Sequence, residues 1–99
     1  MSVDGDWDVI VNSPMGAKKS VLTLKTDGHT LTGTDEGAVG ATELKDGNID
    51  GDRLTWALVL ASPVKIRIDV DVTVNGDKFE GSAEAGIFGK LPILGTRRT

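Results

Sequence analysis

The sequence predicts an all-β protein: an eight-stranded antiparallel up-and-down barrel, or a flattened β-sandwich of the same strands. Three observations lead there. Apolar and polar residues alternate with period two along most of the chain, and no segment holds a helical period for three turns. Asp-Gly and Asn-Gly dipeptides separate the alternating segments and supply the positive φ that tight hairpins need. The 13 glycines are spread among apolar residues, the composition of a chain with many turns rather than a disordered one.

Residues 6–13 form the first strand, with Trp7, Val9 and Val11 on one face. Strands at 19–27 and 29–35 carry Leu22, Leu24 and Leu31 inward and join through Asp27-Gly28. The fourth, at 40–46, carries Leu44 and ends at Asp46-Gly47, with Asp50-Gly51 in the same connection. The fifth, at 52–61, places Leu54, Trp56, Leu58 and Leu60 inside, with Ala57, Val59 and Ala61 outside. The sixth, at 64–74, is the clearest, because every even position from Val64 to Val74 is β-branched aliphatic and every odd one polar. After Asn75-Gly76, strands at 77–84 and 88–97 contribute Phe79, Leu91 and Ile93. With Ile66, Ile68, Val70 and Val72, these residues form an interior almost devoid of polar groups. A faint repeat, a tight turn and then a large apolar residue three positions after the glycine, recurs at Leu31, Leu54 and Phe79.

The 99 residues amount to one domain, spanning 1–99. A net charge of −4 with no tyrosine speaks against nucleic acid, which needs a basic surface and stacking platforms. No apolar run approaches the length that spans a bilayer, so no membrane insertion is expected. Absence of cysteine excludes disulfides and thiolate chemistry. The polar start Ser2-Val3-Asp4-Gly5-Asp6 is not a secretory signal, and the expected location is the cytoplasm.

In such a meander the Asp-Gly and Asn-Gly turns share one end, which should be tight and polar. The other end gathers the connections Ser13–Lys18, Glu36–Val39, Ser62-Pro63 and Gly86–Gly89. These carry Met15, Val39, Pro63, Ile87 and Phe88, which either fold inward to plug the mouth or line a site for a small apolar ligand or a partner. Outward Ile10, Ala57, Val59, Ala61 and Leu94 would support a homodimer if contiguous.

Gly5-Asp6-Trp7 near one terminus and Arg97 near the other resemble the calycins, the barrels of lipocalins, fatty-acid-binding proteins and avidins. The resemblance implies that Arg97 packs across the Trp7 indole, a cation–π contact of about 0.5–2 kcal/mol that closes the tight end. Trp7-Asp8-Val9, Ser13-Pro14-Met15-Gly16, Phe88-Gly89 and Gly95-Thr96-Arg97 also resemble a group of small bacterial β-domains.

Candidate chemistry is thin. Asp46, Asn48, Asp50 and Asp52 match the first half of a calcium loop, but Ala57 stands where its bidentate Glu belongs. Asp4, Asp6 and Asp8 share one side of the first strand, and Asp69 and Asp71 share a wet face with Lys65 and Arg67. His29 is the one histidine and has no metal-binding or triad partner. Gly86–Lys90 lacks the spacing of a phosphate loop. No catalytic residue, metal site or cofactor is expected. The sequence supports a non-catalytic binding module for a small apolar ligand at the loop end. A protein-interaction domain and a small barrel enzyme built on Arg67, Asp69 and Asp71 are the alternatives.

Overall fold

The computed structural model describes residues 3–14, 16–37, 40–60, 65–86 and 89–98. They form β1 (Gly5–Ser13), β2 (Gly16–Asp27), β3 (Thr30–Gly37), β4 (Gly40–Glu43), β5 (Lys45–Asp50), β6 (Arg53–Leu60), β7 (Ile66–Asn75), β8 (Lys78–Ala85) and β9 (Lys90–Arg97). All pairings are antiparallel between neighbours in sequence, apart from β1 with β9 and β3 with β5. The β1–β9 pairing together with β2–β3 joins eight strands into a closed barrel, with β4 as an extra strand on β3. Closure decides between the two expected architectures in favour of the barrel and removes the open edges of a sandwich.

The extra strand corrects the expected fourth strand. Residues 40–50 run beside β3 as one bent ribbon: Glu43 pairs with Thr34, Leu44 N donates to Gly33 O, and Asn48 pairs with Thr30. The register against β6 shifts between Lys45 and Asn48, which marks a bulge. Asp46-Gly47 is therefore this bulge and not a hairpin turn. Asp46 takes φ 52°, and a Cβ on Gly47 would lie 1.9 Å from Leu31 O. The bulge thus needs a residue that tolerates left-handed backbone, followed by one without a side chain.

Gly28-His29, Gly51-Asp52 and Gly76-Asp77 make the two-residue turns. In each the glycine comes first, with φ between 61° and 65°, and the second residue does not have positive φ. That pattern is the type II′ hairpin, whose twist matches the strands it joins.

The core has a lopsided distribution. The fully buried large side chains are Trp7, Leu22, Leu24, Leu31, Leu54, Val72 and Phe79, and all lie in the half of the barrel nearer these tight turns. The Trp7 and Phe79 ring centroids are 5.1 Å apart, and Trp56 meets Phe79 edge-on at 6.1 Å. Phe79 lies flat across its cross-strand partner Gly95, where a Cβ would fall 2.2 Å from the ring. Val3 is also buried, an addition to the expected interior, as are Ala57, Ala83 and Ala85. Ala57 corrects the expected exposed position. Its outward side is covered where Arg67 of β7 reaches across β6 to Asp46 at 3.1 Å.

Gly95→Ala should lower stability by about 1–3 kcal/mol, because the Phe79 ring is held by both tryptophans and has nowhere to move. A lower urea midpoint checks this, and an unchanged midpoint would show that the ring can step aside.

Candidate functional site

The two ends of the barrel differ in chemistry. At the tight end Val3–Asp4 folds across the opening. Trp7 Nε1 donates to Val3 O at 3.0 Å, and the Asp4 carboxylate accepts from the Thr26 amide and hydroxyl. The Arg97 guanidinium carbon sits 4.5 Å from the Trp7 ring centroid. Arg97 also donates to Asp4 O at 3.0 Å and to the Asp77 carboxylate at 3.1 Å. Backbone bonds from Arg97 N to Asp77 O and from Arg98 N to Asp6 O fasten β9 to both neighbours. These contacts tie both termini of the described chain together across this end.

Toward the other end the inward positions become smaller and wetter. Val11, Leu44, Ile66, Ile68 and Leu91 are half-buried, beside the small residues Ser20, Thr42, Ala83 and Ala85. Asp35 stands where this lining meets the filled half. It pairs with Leu22 on β2 and Thr42 on β4, and Leu22 is wholly inside. Since residues opposite each other on paired strands share a face, the Asp35 carboxyl points into the barrel. The Ser20 hydroxyl donates to it, but burial dominates and pushes its pKa above the ordinary 3.8. Met15, Val39, Pro63, Ile87 and Phe88, expected at this end, lie outside the described residues.

A second polar group marks the interior. Trp56 Nε1 is buried and has no hydrogen-bond partner, whereas the other indole, Trp7, is bonded to Val3. A buried donor without an acceptor destabilises its site by about 1–3 kcal/mol and calls for an explanation.

Arg67, Asp69 and Asp71, the residues of the enzyme alternative, do line a common cleft of about 380 Å³, along with Asp46, Ser82, Glu84 and Lys90. The cleft lies on the outer wall, however. Arg53 donates two hydrogen bonds to Asp71, and Arg67 bridges Asp69 and Asp46. The Arg53 hydrogen bonds hold the Asp71 carboxyl below its ordinary pKa. A carboxylate kept ionised by an exposed guanidinium, as Asp71 is, makes a poor general acid.

The other acidic positions also have structural partners. Asp6 accepts from Thr23, and Asp8 pairs with Arg98. Asp46, Asp50 and Asp52 are divided among the bulge, a strand end and a turn. Among the described residues no group of three or more His, Cys, Asp or Glu is placed to hold a metal ion. Outside the barrel, Ile10 pairs with Leu94, which is 46% exposed, and Ala61 lies outside the described residues.

With this geometry in place, the fold has a clear relative. The chain is similar to a solved structure described as a redesigned beta barrel, with a TM-score of 0.79 and 14% identity over 98% of this chain and 92% of that one. At that identity the likeness shows the fold alone. No protein-family model and no curated protein matches the chain. The protein is thus an eight-stranded antiparallel β-barrel with one added strand, and its function must be read from its own residues.

Burial raises the Asp35 pKa in the folded state, so its contribution favours folding below about pH 3.8 and is lost as pH rises through the folded value. Asp35→Asn, neutral at every pH, should therefore gain stability relative to the parent between about pH 3.5 and about pH 7. Urea midpoints at the two pH values test this, and a difference that shrinks with rising pH would contradict it. Arg97→Met should lower stability by about 0.5–2 kcal/mol through loss of the guanidinium over Trp7. A thermal melt no lower than the parent's would show that the contact contributes nothing.

Proposed function

We propose that the protein is a non-catalytic binding module that takes a small, mainly apolar molecule through the end opposite its tight turns. The observation that carries this reading is the asymmetry of burial along the barrel. Large side chains and an aromatic stack fill one half, while the other combines buried Leu58 and Ile93 with half-buried Val11, Leu44, Ile66, Ile68 and Leu91 beside alanines and hydroxyls. A barrel of eight strands is just wide enough either to be filled by its own side chains or to hold one small ligand. On this reading the two halves follow different courses. Apolar walls with a few placed polar groups are the usual make-up of a ligand site, and Ser20, Thr42 and Asp35 supply those groups.

The calycin-like disposition of the tight end supports the same reading. Gly5-Asp6-Trp7 on the first strand and Arg97 from the last, stacked over the indole, tie up one end, and on this reading the other serves for entry. Met15, Val39, Pro63, Ile87 and Phe88 belong to the connections around that entry and would form its rim.

N-phenyl-1-naphthylamine, an uncharged fluorophore that brightens in apolar surroundings, should bind saturably with one site per chain. Leu91→Trp, which fills a half-buried mouth position, should weaken that binding at least about tenfold and leave the unfolding midpoint within about 1 kcal/mol of the parent. Absence of saturable fluorescence, or binding indifferent to Leu91→Trp, would sink the proposal.

A further inference from the structure

Two polar groups stand inside the barrel with unmet or partly met hydrogen-bonding capacity, and they are opposite in kind. Trp56 Nε1–H is a donor only, is buried and has no acceptor. Asp35 is an inward carboxyl whose side-chain partner is the Ser20 hydroxyl and which lies in no salt bridge among the described residues. The rest of the buried core is apolar. An isolated donor and a desolvated acceptor are each unfavourable in such surroundings.

Their depths differ. Thr30 of β3 pairs with Asn48, which pairs with Thr55 of β6, so Thr30 and Thr55 are level. Trp56 stands one residue beyond that line and Asp35 five. At about 3.3 Å per residue, Asp35 is nearer the open end by roughly 13 Å of strand. Trp56 also packs edge-on against Phe79, the middle ring of the stack that fills the tight half, so it forms part of the floor on which that half ends. Leu44, Ile68 and Leu91 are half-buried inward positions of the same barrel.

We infer that the ligand of this barrel, on the reading given above, is an elongated apolar molecule bearing a hydrogen-bond acceptor at its inner end and a hydroxyl or amine at its outer end. The Trp56 indole N–H donates to the acceptor, a carbonyl or ether oxygen, and the Asp35 carboxyl accepts from the hydroxyl or amine. The Ser20 hydroxyl, already donating to Asp35, holds that carboxyl in place. In the unliganded barrel the indole N–H is covered, so the acceptor reaches it by displacing the side chains that cover it. A purely hydrocarbon ligand would leave the indole unsatisfied, and a ligand with reversed polarity would place an acceptor against a carboxyl.

Three naphthalenes of similar shape test the inference on the intact protein: 2-acetyl-6-hydroxynaphthalene, 2-acetyl-6-methoxynaphthalene and 2-ethyl-6-hydroxynaphthalene. Titrations followed by two-dimensional proton–nitrogen and methyl spectra report affinity and position together. The acetyl-hydroxy compound should bind at least about fivefold tighter than either analogue, the factor that one hydrogen bond of about 1 kcal/mol supplies. It should also shift the Trp56 indole proton downfield, while the Trp7 indole, already bonded to Val3, stays in place. Asp35→Leu should abolish the preference for hydroxy over methoxy and keep the preference for acetyl over ethyl. If all three bind equally, shift the methyls of Ile68 and Leu91, and leave the Trp56 indole unmoved, this inference is overturned while the binding module stands. If none binds and no mouth methyl moves, the binding module falls and this inference with it.

Discussion

The structure depends on the stack Trp7–Phe79–Trp56 and the glycine beneath it. A closed barrel encloses an interior that its side chains must fill, and the chain has two tryptophans, two phenylalanines and no tyrosine for the purpose. Three of those four aromatics converge in one stack, with Phe79 lying on Gly95 so that β8 and β9 can pass close beneath the ring. Concentrating ring volume there has two consequences. The tight half becomes a solid plug into which Val3, Arg97 and the type II′ turns can be fastened. The inward positions of the other half that are described are left to aliphatic and small side chains, of which Val11, Leu44, Ile66, Ile68 and Leu91 are only half-buried. Asymmetry along the axis is thus a result of where the aromatics stand, and the proposed binding role follows from the asymmetry.

Much of the architecture was legible in period-two alternation. The run from Ile66 to Val74 emerged as β7 with its even residues inward, and Asp27-Gly28, Asp50-Gly51 and Asn75-Gly76 emerged as turns. Asp46-Gly47 has the same dipeptide signature and a different outcome. What distinguishes it is the approach of the Leu31 carbonyl to Gly47, a tertiary contact that no local pattern encodes. The same limit applies to Ala57. Alternation places it outward, as it is, but its burial comes from the Arg67–Asp46 pair reaching over β6, which joins residues 21 apart in sequence.

The interior polar groups were half legible. Leu31, Gly33 and Asp35 are in phase along β3, so a carboxyl at an inward position could have been read from the alternation that identified Leu31. An acidic residue near a strand end looks like the start of a loop, and β3 runs two residues beyond the expected boundary at 35. The missing partner of Trp56 had no sequence signal at all, since whether an indole finds an acceptor depends on the backbone that packs around it. Trp7 finds Val3 O because the N-terminal segment folds across the tight end, and Trp56 has no equivalent segment among the described residues. The proposed function of this barrel therefore rests on exceptions to a simple apolar pattern rather than on a motif.

The central claim is that one half of the barrel is filled and the other can admit an apolar guest. A crystal structure of the protein pressurised with xenon tests it most directly, because xenon occupies apolar voids without needing any polar partner. The account predicts xenon in the half lined by Val11, Leu44, Ile68 and Leu91, and none among Trp7, Leu22, Leu54 and Phe79. Xenon confined to the aromatic half, or absent from the interior altogether, would contradict it.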